Sequence, residues 1–201
     1  MDRKPPYNPN NLIEQPLNHY LALFREADPA EMAARTGVPF ADGRFTLTVL
    51  GEEKTVTWPD FADGNWRDKD RVQFARHLLE GQSAGPFEGF LTYSQMPWGD
   101  VYDRQFHGRC VNRLAGTYGS RIAVFEKACE GMGGRRIESS GVGFEFEFMS
   151  GLFLRFLIWE GDEEFPASAQ ILFSDNFPRA FSAEDRVIVC EYTLGRLRRF
   201  E

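Results

Sequence analysis

Cysteine is scarce in this chain, which has only Cys110, Cys129 and Cys190, widely spaced and odd in number. That pattern excludes a secreted disulfide framework, and there is no CxxC pair to bind zinc or to cycle between thiol and disulfide. Histidine is equally rare: His19, His77 and His107. No HExxH or Walker loop occurs. Long apolar runs are missing too, and the longest falls far short of the ~20 residues of a membrane helix. The first residues, Met1-Asp2-Arg3-Lys4-Pro5-Pro6, contain no apolar h-region, so no signal peptide is expected. By elimination the expected location is the cytoplasm, without membrane association. Basic residues are outnumbered, 23 against 30 acidic ones, for a formal net charge of −7. General nucleic-acid binding needs a phosphate-neutralising surface and is therefore not expected. The basic cluster Arg196, Arg198 and Arg199 suits a last helical turn, where cations meet the negative end of the dipole.

What the chain does have is phenylalanine: 19 Phe beside 6 Tyr and 4 Trp in 201 residues. A chain of this length fits one domain, and rings in this number give a core of high apolar area. Residues 1–11, rich in Pro and Asn, read as a flexible arm, leaving 12–201 as a single α+β domain.

Leu17, Tyr20, Leu21 and Phe24 recur at helical spacing. Asp28-Pro29-Ala30-Glu31 reads as a cap followed by a proline at the first helical position, and Gly37 suits a left-handed stop. Residues 44–58 alternate with period two around a Gly51-Glu52-Glu53 turn, the pattern of a β-hairpin. A helix fits 68–80, with Gly81 after it.

Residues 82–100 form a Gly-, Ser- and Pro-rich connection holding Phe87, Phe90, Tyr93 and Trp98. It either lines an aromatic groove or plugs the core, and plugging is the plainer expectation. Helices fit 101–115 and 119–130. Phe144-Glu145-Phe146-Glu147-Phe148 alternates strictly, which puts the rings on one face and the carboxylates on the other. After a Ser150-Gly151 turn, Leu152–Trp159 is almost continuously apolar, as suits a central strand. A strand over 168–174 and a helix opened by Ser182-Ala183-Glu184-Asp185 complete the chain. Hairpins separated by helices, without βαβ alternation, predict an α+β fold whose mainly antiparallel sheet has helices packed against it.

Chemistry is most concentrated at Glu160, Asp162, Glu163 and Glu164, four carboxylates bracketed by Trp159 and Phe165. Oxygen ligands of this kind suit a hard divalent cation, and crowded carboxylates can also share a proton. The plainer alternative is a solvated acidic turn. In a mixed sheet, Asp175 past the last strand is a further ligand candidate, although Asp175-Asn176 reads equally well as a turn. His107 and Cys110 stand at i, i+3, a spacing that can align two ligands but lacks the third that zinc needs. The cysteines otherwise read as small core hydrophobes.

The segments Trp159-Glu160-Gly161-Asp162-Glu163-Glu164-Phe165-Pro166, Ala169-Gln170-Ile171-Leu172-Phe173 and Ser182-Ala183-Glu184-Asp185 resemble the prokaryotic domain-of-unknown-function family numbered 3786. Arg35-Thr36-Gly37 and Phe106-His107-Gly108-Arg109 echo it more loosely. The resemblance covers most of the chain beyond the N-terminal arm and implies a bacterial source. The family carries no established activity, so it implies no reaction and no cofactor. Some relatives are joined to a cysteine-rich iron–sulfur segment, and these 201 residues contain no such run. The family's aspartate after Phe173 is replaced here by Ser174, with Asp175 next.

Without an HExxH or Walker motif and with its aromatics concentrated, the chain is expected to be a non-catalytic binding or accessory module for a protein or small-molecule partner. Trp98 and Trp159 are the groove candidates and His107 an acid–base candidate. The alternative is a divalent-metal-assisted enzyme of hydrolytic type, in which Glu160, Asp162, Glu163 and Glu164 hold a cation that activates water.

Overall fold

The structure, a computed structural model, describes residues 14–62 and 66–201. The expected arm over 1–11 lies outside them. The fold is α+β, with two antiparallel sheets and helices against them. Two compact units are present. Among the described residues, one comprises 14–47 together with 54–83; the other comprises Thr48–Glu53 and Ala84–Glu201.

In the first unit, α1 (Glu14–Glu26) packs on α3 (Asp68–Glu80), burying Leu17 and Phe24. Between them in sequence, α2 (Pro29–Thr36) begins as its sequence suggests: Asp28 accepts the Ala30 N–H at 2.7 Å, and Pro29 holds the first position. Gly37 ends it with φ 74, the left-handed stop. Arg35 has a structural task. Its guanidinium donates to the carbonyls of Leu78, Leu79 and Gly81, closing the C-terminus of α3. Strands β1 (Phe40–Ala41), β2 (Arg44–Val49) and β3 (Glu52–Thr57) form a three-stranded sheet in that order. The strands of the 44–58 hairpin thus belong to a different sheet from the later strands, and its Thr48–Glu53 tip belongs to the second unit.

The second unit is built on a five-stranded sheet. Its strands are β4 (Phe90–Thr92), β5 (Arg135–Ile137), β6 (Val142–Met149), β7 (Leu152–Trp159) and β8 (Ser168–Ser174), in the order β4-β8-β7-β6-β5. β7 is the central strand, as its apolar run implies. Every pairing in this sheet is antiparallel. The alternation on β6 holds: Phe144, Phe146 and Phe148 are all buried. The opposite face carries an ion row set by register. Glu145 pairs with Arg135 on β5 and Arg155 on β7, and accepts from their guanidinium groups at 2.5 and 2.8 Å. Arg155 in turn lies 3.6 Å from the Phe90 ring centroid.

Helices cover the phenylalanine face. A continuous helical stretch runs through α4 (Gly99–Phe106), a π-helical turn (His107–Val111) and α5 (Asn112–Tyr118). It is followed by α6 (Ile122–Gly131), the short α7 (Phe177–Ala180) and α8 (Ala183–Leu197). Ser182 caps α8 by accepting the Asp185 N–H, and Val187, Cys190, Leu194 and Leu197 are buried as their spacing requires. All three cysteines are free and buried. Two short edge strands, β4 and β5, have no counterpart in the sequence reading. At three residues each they are too short to show a period.

Candidate functional site

The acidic segment folds as a self-contained loop between β7 and β8. Asp162 turns its carboxylate onto its own backbone, accepting the N–H groups of Glu164 and Phe165 at 2.9 and 2.7 Å. The Asp162 N–H donates to the Phe165 carbonyl at 2.9 Å. This is the local Asx geometry that makes aspartate a turn residue. Glu160, Glu163 and Glu164 are exposed beside it. Among the described residues, no three or more His, Cys, Asp or Glu side chains are grouped so as to hold a metal ion. Trp159 is half-buried, donating its indole N–H to Ser140 at 3.0 Å and resting on Gly141, where a Cβ would meet the ring at 2.9 Å.

Asp175 does not join these carboxylates. β8 begins next to the acidic loop and carries Asp175 to its far end, ~20 Å away at the usual rise per strand residue. There its carboxylate accepts the N–H groups of Glu88 and Gly89, and its own N–H donates to the Gly89 carbonyl. Neighbouring Asn176 donates to the carbonyls of Gly85 and Gly151, and Ser174 donates to its side-chain oxygen. Ser174, Asp175 and Asn176 therefore pin the 85–89 connection to the end of the sheet.

His107 and Cys110 point apart. The imidazole is about half exposed and lies 3.3 Å from the Asp103 carboxylate, whereas Cys110 is fully buried with its thiol directed at the Val187 carbonyl. The π-helical turn containing both breaks the α-helical register on which the i, i+3 alignment depended. Burial pushes the Cys190 thiol well up, with Cys110 adding to the effect. That is the state of an inert core sulfur rather than a nucleophile.

The aromatic connection divides into two kinds of ring. Tyr93 plugs the core, stacked on Phe106 at 4.2 Å between centroids, with its hydroxyl donating to the Ala183 carbonyl at 2.7 Å. Burial raises its pKa to about 12. Trp98 does the opposite: it is 75% exposed, next to Val101 at 64%. It stands out from the surface as a knob.

The backbone explains why. The Gly99 N–H donates to the Met96 carbonyl at 2.9 Å, closing a turn with Pro97 second and Trp98 third. Trp98 has φ 61 and ψ 9, the left-handed region that such a turn reserves for Gly or Asn. A bulky side chain there is a genuine outlier. The turn is fixed from both sides. Gly99 sits so tightly against the Tyr93 backbone that a Cβ would lie 1.9 Å from the Tyr93 carbonyl oxygen. Arg186, almost wholly buried, donates to the Pro97 carbonyl at 2.6 Å and to the Phe181 carbonyl at 3.3 Å. Burial lowers the Arg186 pKa, opposed by Tyr93 and Asp185.

This α+β protein thus presents a strained indole fixed by its turn and, among its described residues, no group of three or more His, Cys, Asp or Glu side chains placed to hold a metal ion. The family described as a domain of unknown function, DUF3786, matches residues 28–196, and the chain belongs to it. No curated protein and no solved structure matches the chain. Among the described residues, no helix is long and apolar enough to cross a membrane.

Proposed function

We propose that the protein is a non-catalytic binding module that engages a protein partner through the Trp98–Val101 knob. The observation that carries this reading is Trp98 itself, an indole 75% exposed on a left-handed backbone. Left-handed geometry costs an ordinary residue ~1–2 kcal/mol, and this side chain recovers little of that by burial in its own chain. Strain of this kind persists where the surroundings fix it, and it concentrates at contact and switch sites. Tryptophan is also the residue type most enriched among binding hot spots, and a pre-fixed anchor loses less entropy on docking.

The test is site-specific photo-crosslinking in cells, with the reactive side chain placed at position 98, at 101, and at exposed Arg104 as control. The expected result is one discrete heavier species from 98 and 101 and none from 104, followed by direct binding of the identified protein after purification. Equal labelling at all three positions would contradict the reading.

A further inference from the structure

Apart from the Trp98 knob, the second unit holds a cavity of about 420 Å³. Its floor is the buried side chains of Leu50, Met132, Phe146 and Met149, and its rim is the exposed Thr48, Glu147 and Ser150. The volume falls within the ordinary range of small-molecule sites, as does the combination of an apolar floor with a few polar groups.

Two irregularities build it. The β6–β7 pairing shifts register between Glu147 and Met149, a bulge, and the Phe148 carbonyl accepts the Leu50 N–H at 2.9 Å. Bulges re-aim side chains, and here Glu147 and Phe146, successive residues of one strand, both reach the same cavity. Leu50 and Gly51 both have positive φ, 49 and 73, as in a hairpin turn whose first position favours Asn or Gly. Leucine in that position buries its side chain in the cavity floor.

The rim has one sign of charge. Glu145 and Glu147 are neighbours in the alternating strand, but their situations differ. Glu145 is held by Arg135 and Arg155. Glu147 accepts only the Gly151 N–H, at 2.9 Å, and among the described residues no cation pairs with it. The Gly151 contact fixes the carboxylate at the edge of an apolar hollow, where an opposite charge is attracted more strongly than in open water.

We infer that this cavity is a binding site for a small ligand with an apolar body and a single cationic head, an alkylammonium in chemical class. The body covers the Met132, Phe146 and Met149 floor, and the head meets Glu147.

Isothermal titration with hexyltrimethylammonium, 1-hexanol and hexanoate, at about 0.15 M salt to screen general attraction to an acidic protein, tests this. The ammonium should bind at least about tenfold more tightly than hexanol, and hexanoate more weakly than hexanol. Glu147→Gln keeps an acceptor for the Gly151 N–H, so the protein should stay folded while ammonium affinity falls to the hexanol level. Thr48→Trp, at the exposed rim, should block all three probes. The inference is overturned if the ammonium binds no better than hexanol, if Glu147→Gln or Thr48→Trp leaves its affinity unchanged, or if no probe binds.

Discussion

The Arg186 guanidinium, 1% exposed, donates to the carbonyl of Pro97 at 2.6 Å, and the next residue is the 75%-exposed Trp98. Tyr93 and Asp185 offset only part of the desolvation of this cation, and its Nε has no hydrogen-bond partner among the described residues. Burying such a group is costly, and its attachment to two backbone carbonyls fixes one conformation of the turn. The core thus holds a strained surface residue in place.

The strain can be read in stability. Trp98→Gly removes the left-handed penalty of ~1–2 kcal/mol and adds ~0.5–1 kcal/mol of unfolded-chain entropy. Urea unfolding should therefore put Trp98→Gly level with the wild type or above it, and above Trp98→Ala, which keeps the strain. A loss beyond ~2 kcal/mol in the glycine variant would mean that the ring packs within its own fold.

Phe146 is 3% exposed and meets Phe156 edge-on, with centroids 5.5 Å apart. Phe146→Ala should cost ~3–5 kcal/mol, the usual range for removing a buried ring. A cost below ~1 kcal/mol in denaturant unfolding would show that the site collapses or that the face is open.

Glu145 links stability to pH. Burial works to raise its pKa, but hydrogen bonds from Arg135 and Arg155 outweigh burial and hold the carboxyl below its ordinary value. A carboxylate depressed in the folded state contributes stability that is fully present above its unfolded pKa of about 4.3 and is lost as pH falls through the folded value. Glu145→Gln should therefore be less stable than the wild type by ~1–3 kcal/mol at neutral pH. The gap should close on acidification below about pH 4. A gap unchanged down to pH 2 would remove Glu145 from the acid response.

At the acidic loop, Asp162 already spends its carboxylate on two backbone N–H groups. Magnesium, calcium and manganese at matched ionic strength should leave the melting temperature where screening alone puts it, in the wild type and in Asp162→Asn with Glu163→Gln alike. A rise specific to one cation, abolished by the double change, would favour the metal-assisted alternative through mass action.

Much of the fold was legible because it was local. The caps at Asp28 and Ser182 and the left-handed stop at Gly37 are written in a few adjacent residues, as are the Phe144–Phe148 alternation and the apolar run of β7. Features that depend on distant chain were not legible. β4 exists because Phe90–Thr92 finds β8, and the π-helical turn at His107 interrupts a helix that sequence reads as regular. Trp98 was visible as an aromatic in a Pro- and Gly-rich connection, and Pro97 marks the second position of a turn. Its backbone strain was hidden, since that depends on Tyr93 and Arg186 fixing the turn. The cavity left no signal at all, because its walls come from three separate stretches of sequence.

Trp98 is proposed as a contact anchor and not a packing residue. The direct measurement is a binding titration of the crosslinked partner, once purified, against the wild type and against Trp98→Gly. Binding to the glycine variant should be at least about 30-fold weaker, the scale of a ~2 kcal/mol hot spot, with the fold intact. Equal affinity for the two proteins would contradict it.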